Sequence, residues 1–394
     1  MRYISKLLVG VCTCTALNGI AWRADATSFL QTNLVSDIPG LATITEPLLQ
    51  NPWGISHSST SPIWVSNQGT SSSTLFAVTG STNVTKANPN ANGFVAIPTT
   101  ASGPQGPTGQ VFNTNTSASS FPVGNGGNNA TARFIFADLN GTISAWNTGP
   151  TAFTQVTTPG AVYTGLAINN SGSMLYAAND AAGTINVFNS NFGPASGLVA
   201  NAFATPATIS AMNLVPFNVQ NINGSIFVTY APIGRTAQTM ATPGMGAIAS
   251  FSETGALQAV LTGAGHLAAP WGIALAPSGF GQFAGDLLVG NFSYINTGIN
   301  AFDPVTGAFE GTIPIDVGAG NTPGGLWALG FGTGMGNGGD RNTLYFTDGI
   351  NGEADGLFGA IAAVPEPSTW AMLLLGFLGL GFAFRQSRRK VAFA

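Results

Sequence analysis

The pentapeptide NPWGI at residues 51–55 returns as APWGI at residues 269–273, and related apolar pentapeptides lie between and after them. The others are PTGQV at 107–111, YTGLA at 163–167, LVPFN at 214–218 and GLWAL at 325–329. The steps between successive copies are 55, 56, 52, 55 and 55 residues, counted from Gly54, Gly109, Gly165, Phe217, Gly272 and Trp327. A fixed period of this length indicates a repeated supersecondary unit.

Each pentapeptide is followed by a second apolar run that ends in a polar residue. These end residues are Asn67, Asp138, Asn179, Tyr230, Asn291 and Asp348. Later runs carry apolar residues three apart, as Ile143 and Trp146 do, and turn sequences such as Asn140-Gly141 separate the runs. Four strands in each of six units predict an all-β, six-bladed β-propeller over residues 27–363. A β-helix has shorter periods, and a pair of β-sandwich domains would not give equal steps.

The stretch Ser28–Val35 lies too close to the first pentapeptide to be a separate strand of the first blade. The sixth blade lacks a clear fourth strand after Ile361. We therefore predict that the N-terminal strand completes the sixth blade and closes the ring, which removes the exposed edges of an open array.

The amino-acid composition agrees with an all-β fold, and the net charge limits the classes of binding partner. Charged residues make up 7% of the chain, and there are 53 glycines, as expected of turns and pleated strands rather than helices. Residues 27–364 contain four Lys and Arg against thirteen Asp and Glu, a net charge of about −9. Nucleic acid is therefore excluded as a favoured partner.

The N-terminus has the three parts of a secretory signal peptide. Arg2 and Lys6 precede an apolar run from Leu7 to Ile20, and the small residues Ala24 and Ala26 follow. We predict that residues 1–26 form the signal peptide and that cleavage follows Ala26. A short N-terminal membrane anchor is the alternative, although the run is short for a membrane span.

The C-terminus, residues 364–390, has its own tripartite pattern. Pro365, Glu366 and Pro367 lead into an apolar segment, which ends in the basic residues Arg385, Arg388, Arg389 and Lys390. Residues 368–384 would form a helix of about 25 Å, barely enough for a bilayer core. We predict a single transmembrane helix over 368–384 with its basic end in the cytoplasm, which places the propeller outside.

This ending resembles the PEP-CTERM sorting signal of exported bacterial proteins. The resemblance implies an exosortase-type processing enzyme as partner, cleavage near Pro365-Glu366-Pro367, and delivery to the cell envelope, the cell surface or an extracellular polysaccharide matrix. A permanent single-pass anchor is the alternative. The tail is also similar to the C-terminal part of ice-binding proteins, but threonines do not recur with period two on one face, as an ice-binding array would require.

Residues 29–361 resemble an uncharacterised family of propellers related to the NHL-type group and often joined to PEP-CTERM tails. Gln31-Thr-Asn-Leu-Val-Ser-Asp37 and Asn51-Pro-Trp-Gly54 carry this resemblance. It implies no particular activity, because propellers of this architecture include lactonases, lyases and binding modules.

The sequence contains no recognisable catalytic motif. Its two histidines, His57 and His266, belong to opposite ends of their blades, and Asp303-Pro-Val-Thr-Gly307 is typical of a turn. We favour a non-catalytic binding or structural protein that recognises a glycan, a peptide or another matrix protein. The alternative is a metal-dependent enzyme of the lactonase or lyase kind.

The polar ends of the second strands are the candidate ligand residues. If inner strands start at one face of the disc, the second strands return to that face, which brings Asn67, Asp138, Asn179, Asn291 and Asp348 together. These oxygens would suit a hydroxyl-rich ligand, Ca²⁺ or another divalent cation. Alternatively, these side chains only hydrogen-bond their own turns.

Overall fold

A computed structural model describes residues 28–100, 103–117, 120–364 and 367–390 of the chain. Residues 28–364 form a ring of six β-sheets. The inner strands of successive sheets contact one another in cyclic order, and the sixth contacts the first. The prediction of an all-β, six-bladed propeller is confirmed.

The strands follow the chain blade by blade. β1 (Ser28–Ser36) and β2 (Ile44–Thr45) come first. The first blade contains β3 (Pro52–Ser56), β4 (Ile63–Asn67), β5 (Ser72–Thr79), β6 (Asn83–Ala87) and β7 (Val95–Ala96). The second contains β8 (Pro107–Phe112), β9 (Phe134–Asp138), β10 (Thr142–Trp146) and β11 (Phe153–Thr157). The third contains β12 (Tyr163–Ile168), β13 (Met174–Asn179) and β14 (Thr184–Asn189).

The second half of the ring is built in the same way. The fourth blade contains β15 (Leu214–Ile222), β16 (Ser225–Pro232), β17 (Ala247–Phe251) and β18 (Leu257–Leu261). The fifth contains β19 (Pro270–Leu275), β20 (Leu287–Asn291), β21 (Gly298–Phe302) and β22 (Phe309–Ile313). The sixth contains β23 (Leu326–Phe331), β24 (Thr343–Asp348) and β25 (Leu357–Val364). Short helices α1 (Ala207–Ser210), α2 (Arg235–Thr239) and α3 (Ile350–Glu353) lie in loops.

The N-terminal strand closes the ring, as predicted. β1 pairs antiparallel with β25, and β2 extends the same sheet, so the sixth blade has five strands in the order β2-β1-β25-β24-β23. Leu34 and Val35 of β1 are fully buried against the first blade, where they join a cluster that includes Phe76 and Phe358. This burial makes β1 part of the core and not merely an added edge.

The prediction of four strands in every blade is wrong for three blades, because the third has three strands and the first and sixth have five. After β14 the chain turns back, and Pro194 makes only an isolated bridge to Phe188. A proline cannot donate to a strand ladder, and glycines at 193 and 197 favour turns over a fourth strand.

The register of the inner strands corrects two positions of the repeat. Pro52, two residues before Gly54, lies opposite Asn67, the predicted end residue of the second strand. In the fourth and sixth blades the residues opposite Tyr230 and Asp348 are Pro216 and Leu326. The counterparts of Gly54 are therefore Asn218 and Ala328, one residue after the predicted Phe217 and Trp327.

These positions carry small residues because the next blade packs directly on their backbone. A Cβ atom added to Gly54 would lie 2.5 Å from the carbonyl oxygen of Thr108, and one added to Gly109 would overlap the amide nitrogen of Leu166. Asn218, the largest residue at this position, instead uses its side chain to bridge blades: its Nδ2 donates to the carbonyl oxygen of Trp271 at 2.9 Å.

Beyond the propeller, α4 (Pro367–Lys390) contains the apolar segment predicted to cross a membrane. Its described apolar side chains are exposed, Leu374 by 63% and Phe382 by 76%. None of the helices in the described ranges has both the length and the apolar character needed to traverse a bilayer, so the predicted transmembrane helix is not confirmed. The predicted signal peptide with Ala24 and Ala26, and the residues Pro365 and Glu366, lie outside the described residues.

Candidate functional site

Aromatic side chains from four blades fill the centre of the ring. One register position, the residue after the partner of the second strand's predicted end residue, is aromatic in these four blades and threonine in the other two. Its occupants are Trp53, Thr108, Thr164, Phe217, Trp271 and Trp327. Trp53 and Trp327 stack with their ring centroids 3.5 Å apart, and Trp271 packs edge-on against both at 6.1 and 5.6 Å. We call Trp53, Phe217, Trp271, Phe292 and Trp327 the axial aromatic cluster; it belongs to one buried core.

The predicted ligand residues lie at one end of this axis, where the inner strands begin. All five are buried: Asn67, Asp138, Asn179, Asn291 and Asp348 are at most 4% exposed. The prediction that they share a face therefore agrees with the strand directions. Their side chains, however, are not presented to solvent.

Three of the five accept hydrogen bonds from the loop that leads into the inner strand of their own blade. The Asp138 carboxylate accepts from the amide of Gly106 at 3.1 Å. Asn179 accepts from the amide of Val162 at 3.3 Å, and Asn291 from that of Ala268 at 3.0 Å. Asn67 instead donates to Ser72 and Thr74, each at 3.0 Å. Asn and Asp side chains commonly hold nearby turns and loops in place by hydrogen bonds of this kind.

Asp348 differs from its counterparts, because neither of its carboxylate oxygens has a hydrogen-bond partner among the described residues. Burial, with a smaller contribution from the nearby Glu353 carboxylate, raises the pKa of Asp348 to about 8. The Asp348 carboxyl therefore holds its proton at neutral pH. Burial also raises the pKa of Asp138 to about 6, although its accepted hydrogen bonds oppose this shift.

An ion pair that the sequence analysis missed covers the axial aromatic cluster on this side. Arg235 of the fourth blade pairs with Glu353 of the sixth. The Arg235 guanidinium carbon lies 4.3 Å from the ring centroid of Phe292 and 5.4 Å from that of Trp327, within cation–π range. Arg235 was detectable as one of only four basic residues in the propeller, but its partner, 118 positions later, becomes apparent only when the ring is closed.

At the opposite end of the axis, where the inner strands end, there is a cavity of about 460 Å³. All six inner strands contribute to its wall, with Trp271 of the axial aromatic cluster also lining it. Its polar groups are mainly amides, among them Gln110, Asn218 and Gln220, and none of the described residues in its lining is Asp, Glu, Lys or Arg. The sequence analysis placed the ligand face at the other end and so did not anticipate this cavity.

The histidines lie apart, as their places in the chain suggested. His57 borders the cavity, its ring nitrogens 3.1 Å from the carbonyl oxygen of Ser58 and 3.3 Å from that of Phe331. Burial lowers the pKa of His57. His266 stacks on Phe309 with ring centroids 3.6 Å apart. Across the part of the chain that the structure describes, no three His, Cys, Asp or Glu side chains come together as metal ligands.

The Asp303 sequence forms a turn. The Asp303 carboxylate accepts from the amides of Val305 at 2.9 Å and Thr306 at 2.6 Å. The side chain caps its own loop in the manner typical of aspartate.

Two uncharacterized proteins of Acanthamoeba polyphaga mimivirus are similar to this chain over most of its length. One is 28% identical over 365 residues, covering 90% of this chain and 85% of the relative. The other is 27% identical over 339 residues, covering 83% and 84%.

Among solved structures, Kuenenia stuttgartiensis hydrazine synthase matches with a TM-score of 0.47 and 12% identity, over 78% of this chain and 76% of that chain. A streptogramin B lyase matches with a TM-score of 0.47 and 11% identity, over 86% and 98%. Residues 363–390 match the PEP-CTERM protein-sorting motif. The chain is thus a six-bladed β-propeller followed by a PEP-CTERM sorting motif.

Proposed function

We propose that this is an exported protein of the cell surface or extracellular matrix, sorted by an exosortase-type enzyme, in which the propeller serves as a non-catalytic binding or structural module. The observation that carries the proposal is the sorting motif at residues 363–390, which begins as the last propeller strand ends at Val364. Export then begins with removal of residues 1–26, and processing near Pro365-Glu366-Pro367 completes it.

Both proposed cleavages leave the ring closed. Cleavage after Ala26 leaves Thr27 as the first residue, so that β1, which begins at Ser28, is retained. Cleavage within 365–367 retains all of β25. A propeller processed in this way would reach the surface with no unpaired strand in its sixth blade.

The hydrogen bonds of the predicted ligand face argue against catalysis by its polar residues. Asp138, Asn179 and Asn291 are engaged in loop hydrogen bonds and so are poorly placed to act on a substrate. Relatives of similar sequence do not narrow the role further, since they are themselves uncharacterized.

A metal-dependent lactonase- or lyase-like enzyme is the second candidate, and one observation favours it. Asp348 and Glu353 retain buried carboxylate oxygens with no partner among the described residues. Such oxygens are the ligands that hard divalent cations prefer. Ca²⁺ or a similar ion would therefore bind here if anywhere on this face.

The proposal is tested by expressing the chain in a host that has an exosortase and in the same host with that enzyme deleted. We expect cell-surface or matrix protein only in the first host, and precursor in the envelope of the second. A matched variant with Pro365, Glu366 and Pro367 changed to alanine should behave in the first host as the wild type does in the second. Equal surface delivery in all three cases would contradict the proposal.

A further inference from the structure

The cavity at the end of the axis opposite Asp348 has the size and shape of a small-molecule site. Its volume of about 460 Å³ lies within the range of roughly 300–1,000 Å³ found for ligand pockets. Thr114 and Asn170 at its rim are exposed, so the cavity is open to solvent, and Trp271 lines its inner part.

The wall is rigid because its amides are fixed by hydrogen bonds between blades. Gln110 donates to the carbonyl oxygens of Gly54 at 2.9 Å and Trp64 at 2.6 Å. Asn221 donates to the carbonyl oxygen of Ile168 at 2.9 Å. Side chains held in this way provide a preformed site, which reduces the entropy cost of binding.

The Gln220 amide in the lining is free to bind a ligand. Gln220 is half-buried, and no described residue hydrogen-bonds to its amide. The hydroxyl of Ser56 also has no hydrogen-bond partner among the described residues, but it is closed off from solvent and so does not face the open cavity. A side-chain amide can both donate and accept hydrogen bonds, so the Gln220 amide can bond to the hydroxyls of a ligand.

The charge of the cavity lining limits the class of ligand that the cavity can bind. None of the described lining residues is Asp, Glu, Lys or Arg, although the propeller as a whole carries about −9. His57 also lines the cavity, but burial lowers its pKa and so favours the neutral imidazole at pH 7. Glu253 lies just outside, where it accepts from the Asn169 side chain at 3.1 Å. An anionic ligand would find no counter-charge here, and a cation would find no carboxylate. An apolar ligand would leave the amides unpaired.

We propose that this cavity binds a neutral, hydroxyl-rich ligand of the saccharide or polyol class, recognised by the amide of Gln220 with Trp271 lining the inner part of the cavity. This inference deepens the binding role proposed above and rests on it. Amide and hydroxyl groups can each donate and accept, as the hydroxyls of a sugar require. The cavity lies at the end of the ring axis, so it would admit a short saccharide or the free end of a polysaccharide.

The test is a titration of the purified full chain with glucose, N-acetylglucosamine, cellobiose and maltose, and with oligosaccharides and intact polysaccharide from the matrix of the host. Tryptophan fluorescence and calorimetry report binding, since Trp271 lines the cavity. We expect a saturable response to at least one neutral saccharide. Binding of oligosaccharides but not of intact polysaccharide would identify a free small ligand as the source, and binding of both would identify the chain ends of the matrix.

A substitution at Gln220 tests whether the response comes from the cavity. Gln220→Ala should weaken binding by about 3- to 10-fold, the effect of one neutral hydrogen bond. Gln258→Ala, an exposed position on β18 outside the lining, is the matched control and should bind as the wild type does. Unfolding curves of both variants check that folding is preserved.

The inference is overturned if no neutral saccharide gives a saturable response, if uronic acids bind more tightly than their neutral counterparts, or if Gln220→Ala leaves affinity unchanged. Failure of the sorting proposal would look different. In that case the purified protein would bind saccharides but would not reach the cell surface in the exosortase host.

Discussion

Ser28 lies directly opposite Val364 in the antiparallel pair that closes the propeller ring. The first and last residues of the ring are therefore neighbours, and the two proposed processing sites flank this single pair. Leader removal and C-terminal sorting can both occur without disturbing a hydrogen bond of the ring. The arrangement links the fold to the proposed route of export.

Deletion of residues 28–37 should destabilise the whole ring and not only its last blade. The deletion removes β1, exposes the edge of β25 and uncovers the core that Leu34 and Val35 bury. At about 1.5–3 kcal/mol for each fully buried aliphatic side chain, these two alone account for roughly 3–6 kcal/mol. Thermal unfolding followed by circular dichroism should show a lower and still cooperative transition. An unchanged melting temperature would contradict closure by β1.

Point variants of the same strand provide the matched comparison. Leu34→Ala should cost about 2–5 kcal/mol of unfolding free energy, because Leu34 is fully buried. Leu30→Ala should change stability by less than about 0.5 kcal/mol, because Leu30 is 61% exposed. Equal effects of the two substitutions would mean that β1 lies on the surface without contributing to the core.

Gly165 and Asn218 provide a test of blade packing. A Cβ atom on Gly165 would overlap the Asn218 side chain and lie 2.8 Å from its Cα atom. Gly165→Ala should therefore cost about 1–3 kcal/mol of stability by denaturant unfolding. Asn218→Gly alone should also cost stability, because it removes the hydrogen bond to the carbonyl oxygen of Trp271. Added to Gly165→Ala it should cost less than it does alone, since the side-chain overlap disappears and the backbone contact stays.

Gly298→Ala is the control for this substitution. A Cβ atom there would meet its nearest neighbour, a methyl group of Thr312, at an ordinary 3.4 Å. We expect its stability to stay within about 0.5 kcal/mol of the wild type. Destabilisation by Gly298→Ala as large as that by Gly165→Ala would show that close approach between blades is not the cause.

The repeat was visible in the sequence because two physical demands recur around the ring. The inner strand needs a small residue where the next blade packs, and in three blades the second strand ends in a residue that accepts a hydrogen bond from the loop before the inner strand. Glycine meets the first demand in four blades, but Asn218 and Ala328 meet it in the other two, which hid the true register. The missing fourth strand of the third blade depends on Pro194, whose effect was not recognised in the sequence.

The pH dependence of the unfolding free energy should reveal the raised pKa of Asp348. Its pKa is about 8 in the folded state and near 3.8 when unfolded, so the folded state holds a proton that the unfolded state has lost. The unfolding free energy therefore falls as the pH rises from the unfolded pKa of 3.8 towards the folded pKa of about 8. Between pH 7 and 8, above the ordinary pKa of histidine, the wild type should lose roughly 1 kcal/mol of unfolding free energy.

Asp348→Asn should abolish this loss, because the amide does not titrate. Asp138→Asn is the control, since Asp138, with a pKa of about 6, is already ionised at pH 7 and contributes little to this window. Urea unfolding at pH 7 and pH 8 measures both. A wild type equally stable at the two pH values would show that Asp348 is already ionised.

Calcium titration tests whether the residues of the predicted ligand face bind a metal ion or only hydrogen-bond their own loops. Asp138 is occupied by loop hydrogen bonds, and Asp348 is buried and protonated. We therefore expect calorimetry with millimolar Ca²⁺ to give the same response for the wild type and for the Asp138→Asn, Asp348→Asn double variant. A saturable signal lost in the double variant would make these residues metal ligands and favour the enzyme alternative.

The candidate site was harder to predict than the fold. Strand direction placed Asn67 and its counterparts on one face, but whether their side chains turn toward solvent or toward a loop depends on distances that the sequence does not contain. The Arg235–Glu353 pair and the cavity both join residues from different blades. A repeat pattern aligns blades with one another and does not indicate which side chains meet across the axis.

The intact mass of the protein recovered from the surface of an exosortase-containing host tests the account most directly. We predict a chain that starts at Thr27 and ends within residues 365–367, so that the Ser28–Val364 pair is retained and everything from Trp370 to Lys390 is gone. A mature surface protein that still carries Trp370 to Lys390 would contradict processing at the sorting motif and would favour a permanent anchor.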